Sequence, residues 1–286
     1  MKNGLLIRNS FWHSASMDEM EALLLDAANR HGIRLHTCGN GDIPCRVGKA
    51  PLLPAPADFV IFWDKDVRLA AYLESHGMPV FNSADAIAAC DDKTLTHLKL
   101  SALPCPETVF APLTFPGNGY RDTRFLDAAE QALGYPMVIK EGSGSFGQQV
   151  YLAKNRSEAL QLLNRLCDRP LLLQRFISAS SGQDKRLYVV NGRTVAAMRR
   201  VNDRDFRANI AIGGSAHPYT PTAEEEALAK AACDLLGLTF AGVDILDGEN
   251  GPMICEVNSN AHFTALHRLT GVDIAAHILE GIKERL

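Results

Sequence analysis

Two neighbouring apolar segments near the C-terminus each carry one carboxylate. Asp244 lies within AGVDIL, Glu256 lies within MICEV, and the short turn GENG joins the two segments. A lone carboxylate in a buried strand is costly unless its charge finds a partner. Because a short turn joins the two predicted strands, the side chains of both acids can converge on a common partner. Asn258, two residues beyond Glu256, projects from the same face of its strand.

Magnesium is the partner that these oxygen atoms favour. The ion prefers carboxylate and amide oxygens and usually bridges to the phosphates of a substrate. We therefore expect Asp244, Glu256 and Asn258 to hold one or two Mg²⁺ ions, with Mn²⁺ as a substitute. The alternative is that Arg or Lys side chains from elsewhere in the fold neutralise the two acids.

A glycine-rich loop, GSGSFG at residues 142–147, predicts a phosphate-binding site. The segment QQVYLAK that follows it alternates like a strand, so the loop joins two strands. A dinucleotide-binding loop would instead lead into a helix. A glycine hairpin can lay its backbone N–H groups over phosphates, and Lys140 ends the preceding apolar strand beside it. The loop and the lysine together predict triphosphate binding, although a glycine hairpin alone can also be a flexible turn without a ligand.

The pattern of apolar residues divides the chain into three units. Strand patterns alternate with helical patterns over the first 90 residues, which predicts a small open α/β domain with a parallel sheet. A helix capped by Asp91 or Asp92 opens the second unit. Asn191-Gly192 predicts a two-residue hairpin turn, and Thr222 begins an amphipathic helix. The predicted units are residues 1–90, 91–178 and 179–286.

Charge and composition argue against several classes of partner. The net charge of −4 gives no basic field for a nucleic acid. No apolar run approaches the ~20 residues of a membrane span, and the N-terminus lacks the pattern of a signal peptide. The seven cysteines form no C-x-x-C pair, which argues against a zinc site or a disulfide framework. We therefore expect a cytoplasmic protein without nucleic-acid or membrane partners.

The order of the motifs resembles the ATP-grasp ligases, specifically their RimK-like branch. The resemblance covers roughly residues 80–286 and is most specific in the last hundred. It rests on Lys93 in DDK, Lys140 in VIK, the loop GSGSFG, the strand LLLQRFI, Asp184 in GQDKRLYVV, DFRAN at 205–209, Asp244 and EVN at 256–258. It implies a mixed α/β and α+β chain, an ATP-grasp fold preceded by a small open α/β domain. The second unit would then be the small ATP-grasp subdomain with its linking helix, and the third would be the C-terminal subdomain with the metal site.

The resemblance implies an ATP-dependent carboxylate–amine ligase. ATP and Mg²⁺ would be the cofactors, and an acylphosphate intermediate would precede the amide or peptide bond. The partners would be a small-molecule or peptide carboxylate and an amine such as an amino acid, and homo-oligomers are common in the family. Two alternatives are a kinase-like phosphotransferase and a non-catalytic ATP-binding regulator.

The resemblance also implies roles for single residues in nucleotide binding. Lys93 and Lys140 would contact the α- and β-phosphates, although Lys93 taken alone reads as a solvated residue in a first helical turn. The loop residues Ser145, Phe146 and Gly147 would cover the nucleotide.

Further nucleotide contacts are implied around the hinge and the DFRAN segment. The backbone of Arg175 and Phe176 would meet the adenine, or Phe176 would simply be a core residue. Asp184 would reach the ribose or bind nearby, or it would be a surface residue of its strand. Arg207 and Asn209 would lie beside the γ-phosphate and the metal ions.

Arg200 and Arg207 are the implied catalytic residues, with Arg200 stabilising the transferred phosphoryl group. Ideal register around Asn191-Gly192 pairs Asp184 with Arg199 instead. A bulge in the hairpin would favour Arg200, so the sequence does not decide between Arg199 and Arg200.

The chain departs from the family pattern in two segments that lie near the acceptor pocket of the family. It reads IAIGGS at 210–215 and AHFTAL at 261–266, where RimK-like ligases commonly have a His-Arg pair and a Ser-Pro-Gly turn. The resemblance therefore does not identify glutamate as the group added. His262 and His267 are candidates for building a different acceptor site.

Overall fold

A parallel four-stranded sheet forms the N-terminal part of the computed structural model, which describes residues 1–115, 117–144 and 147–286. The strand order is β2-β1-β3-β4, and every pairing is parallel, which confirms the predicted open α/β arrangement. The elements are β1 (Lys2–Arg8), α1 (Ala15–Arg30), β2 (Ile33–Gly39), β3 (Phe59–Trp63), α2 (Val67–Glu74), β4 (Val80–Phe81) and α3 (Ala84–Asp91). Since β2 lies on one side of β1 and β3 on the other, the carboxyl ends of β1 and β3 flank a topological switch point.

An antiparallel sheet of order β5-β8-β6-β7 follows the N-terminal sheet, and Asp92 caps the linking helix by accepting from Thr94 N at 2.8 Å. The glycine-rich loop joins antiparallel β6 and β7, as predicted. The elements are α4 (Lys93–Lys99), β5 (Thr108–Phe110), α5 (Arg124–Leu133), β6 (Met137–Glu141), β7 (Val150–Ala153), α6 (Arg156–Arg165) and β8 (Leu171–Arg175).

The C-terminal part is a five-stranded antiparallel sheet of order β11-β10-β9-β12-β13. Asn191 and Gly192 form the predicted tight turn with φ of 44° and 71°, and Thr222 caps α7 through a reciprocal bond pair with Glu225. The elements are β9 (Gln183–Val190), β10 (Arg193–Val201), β11 (Ser215–Pro218), α7 (Ala223–Leu236), β12 (Phe240–Gly248), β13 (Gly251–Asn258), α8 (Thr264–Thr270) and α9 (Ile274–Lys283).

A β-bulge in β10 decides which arginine faces Asp184. The register between β9 and β10 shifts between Thr194 and Ala196, and beyond the shift Arg200 lies opposite Asp184. A bulge places two residues of one strand against one residue of its partner, which moves later side chains to the other face. Arg199 therefore points to the other side of the sheet, where it bonds Gln183.

The N-terminal sheet packs directly onto the C-terminal sheet. The ring of Trp63 stacks on Phe240 with centroids 5.3 Å apart. Asn82 is fully buried and donates to Phe240 O at 2.8 Å and to Ser259 O at 2.9 Å, and it accepts from Thr239 N at 2.8 Å. These contacts fix the carboxyl ends of the parallel strands against β12 and β13. The boundaries predicted at residues 90 and 178 stay predictions.

No helix within the described ranges combines the length and the apolar character that crossing a bilayer requires.

Candidate active site

Two acids and two arginines alternate on one face of the C-terminal sheet. Arg186 donates from Nε and Nη2 to the two oxygens of Asp244, both at 2.7 Å. Arg200 donates from Nε and Nη2 to Asp184, both at 2.6 Å, and its Nη2 also lies 2.8 Å from Asp244 Oδ2. Cross-strand pairing creates this network, because Arg200 pairs with Asp184 and Arg186 pairs with Asp244. Asp184 is thus a partly buried member of an ion-pair network, and its reading as a surface strand residue is wrong.

The network favours the charged forms of Asp244 and Arg200, whereas burial raises the pKa of Asp184. Asp244 is 2% exposed, and burial by itself raises the pKa of a carboxyl group. The guanidinium groups of Arg186 and Arg200 outweigh burial and hold the pKa of Asp244 below its ordinary value. Burial opposes the charge of Arg200, but Asp244 and Asp184 raise its pKa above the ordinary value. Arginine side chains therefore neutralise Asp244, as the alternative interpretation of the sequence predicted.

The remaining oxygen atoms of the predicted metal site fit a magnesium ion. Asp244 Oδ1 accepts one hydrogen bond and Oδ2 takes two arginine contacts, so Oδ1 keeps one acceptor site. Glu256 lies opposite Asp244 in the sheet, and its closest cation among the described residues is Lys93 Nζ at 3.9 Å. Asn258 follows on the same face of β13. The predicted metal ligands are thus brought together, and their role stays a prediction.

Such an ion would need further oxygen ligands. Within the described ranges, no group of three or more His, Cys, Asp and Glu side chains could hold a metal ion by itself. Magnesium is commonly held by one or two carboxylates together with water and substrate phosphates. The arrangement therefore suits an ion that binds together with a nucleotide.

Two lysines line a narrow cleft between the second and third sheets. Lys93 and Lys140 are both buried, so Lys93 is not the solvated first-turn residue that its position alone suggests. Lys93 Nζ donates to Gly144 O at 3.2 Å, and burial lowers the Lys93 pKa. Lys140 Nζ lies 3.9 Å from Cys255 Sγ. Two ammonium groups beside a glycine loop fit the predicted contacts with phosphates.

Aromatic rings also line this cleft. Phe176 and Phe206 both line it, with ring centroids 6.3 Å apart in an edge-to-face arrangement. The side chain of Arg175 is exposed and pairs with Glu107 at 2.5 Å, which leaves only its backbone for the predicted adenine contact. Phe206 was not among the predicted site residues, although it lies within the DFRAN segment that was expected to contact the nucleotide.

Arg207 connects the glycine loop to the C-terminal sheet. Its Nη1 donates to Gly147 O at 2.6 Å, and Asp205 holds its Nε and Nη2 at 2.9 and 2.8 Å. Gly147 has φ of 73°, and a Cβ there would lie 2.6 Å from Asn209 Oδ1. The positive φ favours glycine here, and the contacts bring Arg207, Gly147 and Asn209 together. The other two predicted loop residues, Ser145 and Phe146, lie outside the described residues.

A larger cavity of about 750 Å³ adjoins the cleft. Asn209 and Glu256 line both spaces, so the cleft meets the cavity at the predicted metal site. The segments that depart from the family pattern also line the cavity, through Ile210, Ala211, Ala261, His262, Thr264 and Ala265.

Only one of the two candidate histidines belongs to this cavity. His262 Nδ1 lies 3.1 Å from Ser16 Oγ, and burial lowers the His262 pKa. His267 instead lies in the last turn of α8, where its Nδ1 is 2.8 Å from Val272 O. His262 is therefore placed to contact an acceptor, and His267 stabilises a helix end.

The chain is similar to several known proteins. A family model described as the RimK-like ATP-grasp domain matches residues 116–282. An uncharacterized MG012 homolog of Mycoplasma pneumoniae is 32% identical over 279 residues, covering 96% of each chain. A probable alpha-L-glutamate ligase of Shewanella pealeana is 34% identical over 76% of this chain and 47% of that longer protein. The fold is also similar to that of the ATP-grasp ligase PsnB in complex with minimal precursor, Mg and ADP, with a TM-score of 0.70, 17% identity and coverage of 98% and 96% of the two chains.

Proposed function

Since this chain belongs to the RimK-like ATP-grasp family, we propose that it joins a carboxylate to an amine while ATP is converted to ADP and phosphate. One observation carries the proposal. Asn209 and Glu256 line both the lysine-bearing cleft and the larger cavity, so a nucleotide in the cleft would present its terminal phosphate to a substrate in the cavity. The names of one relative, a probable alpha-L-glutamate ligase, and of one protein of similar fold, an ATP-grasp ligase, support the same reaction class.

In the first step, a carboxylate oxygen of the substrate attacks the γ-phosphorus, and the bond to the ADP oxygen breaks. The products are an acylphosphate and ADP. Charge on the transferred group must be neutralised during this step. Lys93, Lys140 and Arg207 would bind the nucleotide phosphates, and Arg200, fixed by Asp184 and Asp244, would hold the transferred group.

In the second step, the amine attacks the acyl carbon. A C–N bond forms, the C–O bond to phosphate breaks, and the nitrogen releases a proton. Water must be kept from the acylphosphate, since hydrolysis would waste it. Trp12, Trp63 and Met17 line the same cavity as Glu256 and would reduce the access of water to it.

The magnesium ion would screen the phosphate charge when it is bound. Asp244, Glu256 and Asn258 would hold it, and Arg186 would orient Asp244. We expect one or two Mg²⁺ ions, ATP as the nucleotide, and a cytoplasmic location.

Product analysis tests this function. The purified protein would be incubated with Mg²⁺ and ATP against pairs drawn from amino acids, dipeptides and other carboxylates and amines. A ligase releases ADP and phosphate in equal amounts, together with an amide, only when both substrates are present.

The same assay separates the alternatives. ADP without free phosphate would indicate a kinase-like phosphotransferase. Nucleotide binding without ADP formation across the substrate panel would indicate a regulator, and either result would overturn the ligase proposal.

A further inference from the structure

The acids and the arginines of the ion-pair network face different spaces. Asp184 and Asp244 line the narrow cleft, whereas Arg186 and Arg200 line the larger cavity. The carboxylates therefore face the predicted metal ion and nucleotide, and the guanidinium groups face the space proposed for the substrate. A guanidinium group in the wall of that space is suited to an anionic group of a ligand.

Both guanidinium groups keep N–H donors that the network does not use. Arg186 binds Asp244 through Nε and Nη2. Arg200 binds Asp184 through Nε and Nη2, and its Nη2 also contacts Asp244. Within the described part of the chain, Nη1 of neither arginine makes a hydrogen bond, and neither Nη1 is a buried atom without a partner. Each arginine therefore presents unused donors to accessible space, because a guanidinium group has five N–H donors.

The two guanidinium groups meet at a single oxygen atom. Arg186 Nη2 lies 2.7 Å from Asp244 Oδ2, and Arg200 Nη2 lies 2.8 Å from the same oxygen. A ligand that contacts both arginines must therefore carry two acceptor groups a short distance apart. An acylphosphate meets this requirement, since one oxygen atom joins its acyl carbon to its phosphorus.

Arg186 also lies beside the segment AHFTAL, which departs from the family pattern. A Cβ at Gly242 would lie 3.5 Å from Arg186 Nε and 2.6 Å from the Cβ of Ala261. Burial and, to a smaller extent, the charge of Arg186 lower the pKa of His262. Arg186 therefore lies near both Asp244 and the segment expected to contact the acceptor, which is where the acyl end of an acylphosphate would lie.

We infer that Arg186 binds the carboxyl group of the substrate in the first step, while Arg200 holds the phosphoryl group. The carboxylate oxygen that does not attack accepts from Arg186 Nη1, and the other oxygen forms its bond to the γ-phosphorus beside Arg200. Arg186 is then a catalytic residue as well as the partner of Asp244. This inference rests on the proposed function, because that function places a carboxylate in the cavity.

A small analogue tests this site without knowledge of the acyl side group. Phosphonoacetate carries a carboxylate and a phosphonate joined through one carbon atom, and ethylphosphonate lacks the carboxylate. Both would be titrated by calorimetry into the full chain with ADP and excess Mg²⁺ present. We expect phosphonoacetate to bind at least about tenfold more tightly than ethylphosphonate. Equal affinities, or binding of neither compound, would overturn the inference.

Substitution of Arg186 separates substrate binding from support of Asp244. Arg186→Met should bring the two affinities within about threefold of each other. Loss of support for Asp244 alone would weaken both phosphonates alike and leave the preference intact, and that result would overturn the inference. Arg199→Met, at the exposed neighbour of Arg200, is the control and should retain the preference of the wild type.

Arg186→Lys gives the same test in a variant that keeps a cation beside Asp244. A lysine has no fork of donors with which to bind Asp244 and a second carboxylate together, so this variant should also lose the preference for phosphonoacetate. Circular dichroism would verify that each variant is folded. If Arg186→Met does not fold, Arg186→Lys decides, and a preference equal to that of the wild type would overturn the inference.

ADP binding distinguishes this failure from a failure of the proposed function. ADP would be titrated by calorimetry into the same proteins with Mg²⁺ present. A wild-type chain that binds ADP but does not prefer phosphonoacetate contradicts the role of Arg186 alone. A chain that does not bind ADP contradicts the proposed function as well.

Discussion

Arg186 binds Asp244 through two parallel hydrogen bonds of 2.7 Å, one to each carboxylate oxygen. A bidentate pair of this kind fixes direction as well as distance. Asp244 is therefore held in place on β12 before any ion or nucleotide arrives. The arrangement explains how a buried acid is tolerated in an apolar strand and how it can still be oriented toward Glu256.

Replacing Arg186 by Met should destabilise the ligand-free protein by about 3 kcal/mol, because it removes the larger share of hydrogen bonds to a buried charge. Asp244→Asn should also destabilise the protein. The double variant should lose less free energy of unfolding than the two single variants together. Urea unfolding of the four proteins measures this coupling. Arg193→Met, at an exposed start of β10, is the control. Strict additivity would show that the pair does not interact.

Glu256→Gln should reduce turnover far more than nucleotide binding. The substitution keeps the size of the side chain but removes one of the two carboxylates predicted to hold the metal ion, so we expect a loss of about 100-fold or more in kcat. The dissociation constant of ATP should change less than about tenfold. ADP release and calorimetry measure the two quantities. Glu249→Gln, in the exposed turn between β12 and β13, should behave as the wild type, and unchanged turnover in Glu256→Gln would remove the metal role.

Arg207→Ala should raise the KM for ATP about tenfold and lower kcat, because Arg207 both holds Gly147 and is predicted to contact the γ-phosphate. Arg207→Lys keeps the charge without the fork and should recover only part of the loss. Steady-state kinetics with varied ATP separate the two parameters. The exposed Arg204 supplies the control variant Arg204→Ala. Wild-type kinetics in Arg207→Ala would contradict both roles.

The free energy of unfolding should decrease as the pH is lowered, because of His97. Burial lowers the pKa of His97 to about 3, and its Nε2 pairs with Gln174 Nε2 at 3.1 Å, which requires an unprotonated His97 Nε2. The unfolded chain takes up the proton near pH 6.5, whereas the folded chain does not. The contribution of neutral His97 to the free energy of unfolding is therefore complete above pH 6.5, and it is lost as the pH falls toward 3.

Between pH 7 and pH 5, protonation of His97 in the unfolded chain should lower the free energy of unfolding by about 2 kcal/mol. Denaturant unfolding at the two pH values would compare the wild type with His97→Gln, whose stability should depend less on pH by that amount. His76→Gln, at an exposed histidine, should retain the wild-type dependence. An identical pH slope in wild type and His97→Gln would contradict a neutral buried His97.

Local sequence patterns predicted most of the secondary structure. Asn191-Gly192 specified its turn because both residues tolerate positive φ. Asp92 and Thr222 specified helix starts, because their side chains satisfy backbone N–H groups within the same turn. The acids Asp244 and Glu256 were predicted to meet because a short turn joins their strands. In each case the partners are neighbours in the chain, so the sequence contains the whole interaction.

Other features depend on contacts between distant segments, and only the tertiary structure decided them. A bulge of one residue in β10 placed Arg200, instead of Arg199, opposite Asp184. The partners of Asp244 come from β9 and β10, 58 residues away in the case of Arg186. The cavity unites Asp64, which follows β3, with Glu256 of β13. Local pattern fixes which face of a strand is apolar, but strand register and sheet packing determine which charges meet, and these follow from the energy of the assembled core.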